Sequence, residues 1–178
     1  ELAGVDLLVV PWGNCYAASA VAGQESVTYD FNLTLADART LREFVRGGGA
    51  VLFVLDPTCQ CDFSALEVLG IQADETQARI WEDDDAHPAF GSIDGSTYGL
   101  AAHYRFQPVR ALSGRAWARV PDVGTALAVE SYGTGRVAAL GLPSLVDGIR
   151  TVSPEDDAGQ PAPLYAADNL SFLVAVVE

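Results

Sequence analysis

Apolar residues fall into short continuous runs along this chain. Val5-Asp6-Leu7-Leu8-Val9-Val10 is apolar apart from one acid, and Ala50-Val51-Leu52-Phe53-Val54-Leu55 is apolar throughout. Continuous rather than alternating apolarity predicts strands covered on both faces, as in a parallel sheet. The first run is expected to stop at Pro11-Trp12-Gly13-Asn14. Between the two runs, Leu35, Ala38, Leu41, Phe44 and Val45 repeat at helical spacing, with Asp37, Arg39, Arg42, Glu43 and Arg46 on the other faces. Thr34 with Asp37 three residues on has the form of a capping box. Gly47-Gly48-Gly49 ends the helix, the first glycine being the expected left-handed cap. Strand, helix, glycine turn and strand make a βαβ unit.

Later segments read differently. Phe63 to Leu69 predicts a short helix closed by Gly70, with Ile71 opening the next segment. From Gln77 to Val120, pairs such as Ala78/Ile80 and Tyr104/Phe106 alternate among frequent Gly and Pro. That pattern predicts an edge extension of short antiparallel strands over 77–120. Ala126 to Ser131 and Val137 to Leu142 read as strands joined by the tight turn Tyr132-Gly133-Thr134-Gly135-Arg136. Asp168 is expected to cap a last helix whose apolar face is Leu170, Leu173, Val174 and Val177. The stretches 17–31 and 153–163 read as loops. The expected fold class is α/β: one domain over 1–178, with a mostly parallel, flavodoxin-like central sheet flanked by helices and an antiparallel edge extension.

Composition narrows the function. The 178 residues carry 24 acids against 10 basic residues, a formal charge of -14. A nucleic-acid backbone would repel such a chain, so no nucleic-acid partner is expected. Every basic residue is Arg, which removes Schiff-base, P-loop and Ser-Lys chemistry. No apolar run approaches the roughly 18 residues that a membrane span needs, so no membrane insertion by this segment is expected. The start at Glu1 reads as a piece of a longer product.

Three features could carry chemistry. Cys59 with His103 is the one nucleophile and base pairing worth weighing, but no Gly-x-Cys-x-Gly elbow surrounds the cysteine. Cys15, Cys59 and Cys61 are an odd set, and one residue between the last two disfavours a bridge between them. Asp83, Asp85 and His87 offer oxygen and nitrogen ligands, yet the spacing of a calcium loop is missing, and a solvated acidic loop is the simpler reading. The triglycine follows a helix instead of opening one, so it is no phosphate cradle, and no cofactor is expected. Arg136 could hold a ligand carboxylate, although pairing with one of the 24 acids is the simpler expectation. Trp12, Trp81 and Trp117 could stack a ring.

The run 5–10, the helix and triglycine of 41–52, His87-Pro88, the stretch 132–141 and Asp168-Asn169 together resemble the class I glutamine-amidotransferase-like superfamily. More narrowly they resemble its non-catalytic branch, which includes auxiliary proteins of gliding-motility-type ABC transporters and intraflagellar-transport-like domains. One departure is that members normally have one or two strands before the first one here. The resemblance implies a non-enzymatic binding or scaffold domain of a larger envelope- or transporter-associated assembly, placed outside the cytoplasm or at a membrane through other segments. Its partner would be another protein or the rest of a longer chain. A crevice at the carboxyl ends of the first two strands, with Trp12, Asn14, Cys15, Asp56, Thr58, Gln60 and Asp62, would take a partner segment or small ligand. Two alternatives are a divergent cysteine hydrolase or amidotransferase using Cys59 and His103, and a structural subunit pairing through an open sheet edge.

Overall fold

The computed structural model describes residues 4–12, 33–57, 63–74, 78–80, 87–102, 105–146 and 168–177. Strands dominate them. In chain order they are β1 (Leu7–Trp12), α1 (Leu35–Arg46), β2 (Ala50–Leu55), a 3-10 turn (Ser64–Leu69), β3 (Ile71–Ala73), β4 (Arg79–Ile80), β5 (His87–Ile93), β6 (Ser96–Ala102), β7 (Arg105–Phe106), β8 (Val109–Ala111), β9 (Arg115–Val120), β10 (Gly124–Tyr132), β11 (Gly135–Leu140), a second 3-10 turn (Pro143–Leu145) and α2 (Asn169–Val177).

Seven strands form one sheet in the order β1-β2-β11-β10-β9-β5-β6. Only β1, β2 and β11 run parallel; every other pairing is antiparallel. The expected flavodoxin-like fold, mostly parallel and flanked by helices, is therefore overturned. The sheet is mixed and strand-rich, with two α-helices among the described residues. The two apolar runs do form the parallel strands β1 and β2. They represent fewer than half of the sheet, because hairpin-connected strands build the rest. β5, β6 and β9, from the segment read as an edge extension, are integral to the main sheet.

α1 forms where its pattern puts it. The Thr34 hydroxyl accepts from the Asp37 N–H at 3.1 Å while the Asp37 carboxylate accepts from the Thr34 N–H at 3.1 Å, which completes the capping box. At the other end the left-handed residue is Gly48, at φ 106°, whereas Gly47 has φ -77°. The helix buries Ala38, Leu41 and Val45 against Val51, Phe53, Val137 and Ala139 of the sheet. Arg42 lies over the Tyr132 ring at 4.9 Å, tying the helix to β10. Gly135 starts β11 where a Cβ would run into the carbonyl oxygens of Val45 and Gly49. The close approach of the helix end to the sheet thus depends on a missing side chain.

The opposite face carries a second apolar cluster, including Leu52, Val54, Leu127, Leu140, Phe172 and Val176. α2 covers only part of it, packing on β5, β6 and the second 3-10 turn. Its buried face is Phe172 and Val176, while Leu170 and Val174 of the expected apolar face are exposed. Asp168 precedes the helix as expected, but its carboxylate accepts from the Gly99 N–H at 3.0 Å. The buried Asn169 side chain accepts from the Ala101 N–H and donates to the Ala101 carbonyl, both at 3.0 Å. The start of α2 thereby satisfies backbone groups of β6 that would otherwise form an open sheet edge.

β1 is the other end of the sheet, and among the described residues it pairs only with β2. The strand runs through Pro11 instead of stopping there. The bond from Ala50 N–H to the Asp6 carbonyl turns even-numbered residues of β1 toward β2. Leu7, Val9 and Pro11 therefore present their backbone outward, where a missing N–H breaks no ladder bond.

Candidate functional site

Most of the expected crevice lies outside the described residues: Asn14, Cys15, Thr58, Gln60 and Asp62, and the side chain of Trp12. Asp56 is half-buried just beyond β2. Cys59, Cys61 and His103 also lie outside the described residues, as do Asp83, Asp85, Trp81 and the stretches 17–31 and 153–163. His87 opens β5 and is half-buried. Among the described residues no group of three or more His, Cys, Asp or Glu is gathered to hold a metal, and no helix is long and apolar enough to cross a membrane.

The described residues do form a different site. On the face that α2 covers only in part, a small open hollow of about 30 Å³ lies over the amino-terminal ends of the parallel strands. Its lining includes Leu7, Leu52, Trp117, Arg136, Ala138 and Val176. Local rules explain the placement. Leu7 begins β1, Ala50 begins β2 and Arg136 is the second residue of β11, so three parallel strand starts converge here. Alternation along β11 puts Arg136 on the same face as Ala138 and Leu140. Trp117 comes from β9, on the far side of β10. The hollow is thus at the end of the strands opposite to the expected crevice.

Its electrostatics are simple. Among the described residues, Arg136 is the only charged one in the lining. Its guanidinium lies 6.0 Å from the centroid of the Trp117 ring. Among the described residues it makes no hydrogen bond or ion pair; the salt bridge there joins Arg46 to Glu43 on the exposed side of α1 at 2.9 Å. The expected pairing of Arg136 with an acid is not found among these residues. Arg136 and Trp117 were each visible in the sequence, but nothing in their spacing placed them together.

No family model matches the sequence, and no curated protein matches it. Solved structures do share its fold. The chain is similar to the mmIFT52 N-terminal domain at 14% identity and TM-score 0.62, covering 98% of this chain and 76% of that one. It is similar to Cytoplasmic Protein STM1381 from Salmonella typhimurium LT2 at 13% identity and TM-score 0.58, covering 97% and 70%. It is also similar to the cold-adapted β-galactosidase of Rahnella sp. R3 at 15% identity and TM-score 0.56, covering 96% of this chain and 22% of that one. The chain therefore spans about a fifth of that β-galactosidase, 22%. At such identities the likeness is one of fold alone. With a mixed, strand-rich sheet in this chain and a β-galactosidase among these matches, the expected amidotransferase-like, flavodoxin-like architecture does not stand.

Proposed function

We propose that this chain is a non-catalytic binding or scaffold domain that works within a larger protein or assembly. The observation that carries the reading is the disparity in coverage: its fold accounts for 96% of this chain but 22% of the Rahnella β-galactosidase. A unit of this shape can therefore serve as a minor part of a much longer chain. The envelope- or transporter-associated setting implied by the sequence resemblance is one such context. Photocrosslinking tests this. With a photoreactive residue at Val174, exposed on α2, the native protein is expected to give one defined adduct, within its own longer chain or to a partner protein. Scattered adducts, or none, would refute the reading. So would turnover of glutamine or of an aryl galactoside that disappears in Cys59→Ala.

A second reading, a subunit that pairs through its sheet edge, is favoured by the contrast between the two edges. The start of α2 occupies backbone groups of β6, whereas β1 presents Leu7 and Val9 outward. Val9→Pro removes an N–H that points away from β2, and the isolated domain is expected to lose less than about 1 kcal/mol. Leu8→Pro removes an N–H that faces β2, and about 3 kcal/mol should be lost. Equilibrium urea unfolding measures both. Edge pairing predicts that Val9→Pro abolishes self-association or the defined adduct. An unchanged assembly state in that variant would eliminate this reading.

A further inference from the structure

We propose that the face of β1 on the α2 side of the sheet docks an amphipathic helix of a partner protein, with the helix's apolar side on Leu7, Val9 and Pro11 and an acidic residue on Arg136. The proposal deepens the reading of the chain as a binding domain and rests on it. Parallel strands are ordinarily covered by helices on both faces. The face that carries α1 is closed, and Val10 is buried there. On the other face α2 packs on β5, β6 and the second 3-10 turn, and β1 is left open. Alternation puts Leu7, Val9 and Pro11 on that side, since Val9 lies opposite Leu52 of the cluster beneath α2. Val9 is 50% exposed, Pro11 is exposed and Leu7 is half-buried. A strand face meant for water carries polar residues at such positions, and this one has none.

Charge selects the occupant. Leu7 lies opposite Ala50 and Ala50 opposite Arg136, so Arg136 leaves the sheet two strand spacings, about 10 Å, from Leu7. The next row, which begins at Val9, ends on Arg115 of β9. Neither arginine has a hydrogen bond or ion pair among the described residues, although the chain has 24 acids. The apolar strip is thus flanked by unpaired positive charge. A second copy is the poorer occupant, because it would bring a further formal charge of -14 against this one. A partner helix with apolar residues three and four positions apart and acids on its flank meets both features. A helix is about 10 Å wide, so one helix covers β1 and β2 and its flank reaches Arg136.

The test is photocrosslinking of the native protein from position 9, with the adduct mapped by mass spectrometry. The expected adduct joins one segment of another protein, with apolar residues at helical spacing and flanking acids. Arg136→Glu should lower its yield by about tenfold or more, and Arg136→Lys, which keeps the charge, by less. An unchanged urea midpoint certifies the fold of both variants. A photoreactive residue at Phe90, exposed on the sheet face away from α2, should give no such adduct. A synthetic peptide of the mapped segment should gain helical circular dichroism when mixed with the purified protein. A peptide that binds without gaining helicity would overturn the proposal, as would a segment without acids or a yield unaltered by Arg136→Glu. An adduct within the protein's own longer chain, one to a second copy, or none at position 9 would also overturn it. A defined adduct at Val174 with none at Val9 defeats the docked helix alone, whereas none at either position defeats the scaffold reading too.

Discussion

Phe172→Ala is expected to lower the stability of the domain by about 3–5 kcal/mol, the range for deleting a fully buried aromatic ring. Phe172 has no exposed surface and meets Tyr98 edge-on, with ring centroids 5.5 Å apart at 65°. Its ring fills the space left by Gly91 on β5, where a Cβ would collide with it. Gly91 has no side chain with which to fill the vacancy, so a cavity term adds to the lost transfer energy. The same substitution loosens α2, which contributes Val176 to the hollow. Phe172→Leu refills part of the volume and should recover more than half of the lost stability. Urea denaturation checks both variants; full stability in the alanine variant would contradict the packing described.

Glu130→Gln should cost about 3 kcal/mol, as expected for removing a buried charge that several donors face. Glu130 is 5% exposed and lies on β10. One carboxylate oxygen accepts from the N–H groups of Ser113 and Gly114, each at 3.0 Å. The other accepts from the Ser113 hydroxyl at 2.8 Å and the Ser131 N–H at 3.4 Å. Together these bonds fold the turn before β9 onto β10, and a Cβ at Gly114 would strike the Val129 carbonyl. An amide has one acceptor oxygen, so its NH₂ would confront donors whichever way it turned.

The charge of Glu130 also makes part of the stability depend on pH. Burial pushes its pKa up, but the bonds from Ser113, Ser131 and Gly114 together outweigh burial and hold it below the ordinary carboxylate value. The folded state therefore binds its proton less readily than the unfolded chain does. The contribution is fully present above the unfolded pKa and is lost as pH falls through the folded one. The stability gap between the native protein and Glu130→Gln should accordingly narrow on acidification from neutral pH. A gap that stayed constant down to strongly acid pH, measured by urea unfolding at each pH, would remove the assigned role of the carboxylate.

Local rules in the sequence carried well over short distances. The capping box at Thr34 and Asp37 forms as its spacing predicts, because both partners lie within one helical turn. Gly70 closes the turn of 64–69 in a left-handed conformation, φ 74°, that few other residues adopt readily. β2 is buried at nearly every position, as a run without polar residues requires. The same rules failed where two answers were locally equivalent. Either Gly47 or Gly48 can take the left-handed angle, and the approach of α1 to the β11 turn selects Gly48. Pro11 was expected to end β1; it lies within the strand because that rim has no neighbour among the described residues. α2 is apolar on nearly all sides, so the face expected from its sequence, with Leu170 and Val174, is not the one that meets the sheet, which is Phe172 and Val176.

The order of residues alone determined the short-range elements: the capped helix α1, the buried strand β2, the β10–β11 hairpin and an excess of acid that disfavours nucleic acid as a partner. Each follows from interactions between residues only a few positions apart. Tertiary structure alone decided that the sheet is mixed, that the start of α2 seals β6, and that Arg136 meets Trp117 over an apolar floor. Those outcomes depend on which strands become neighbours, and β9 and β11 are brought to one hollow only because β10 lies between them in the sheet. Strand order is set by burial summed over the whole chain, a quantity that no local pattern encodes.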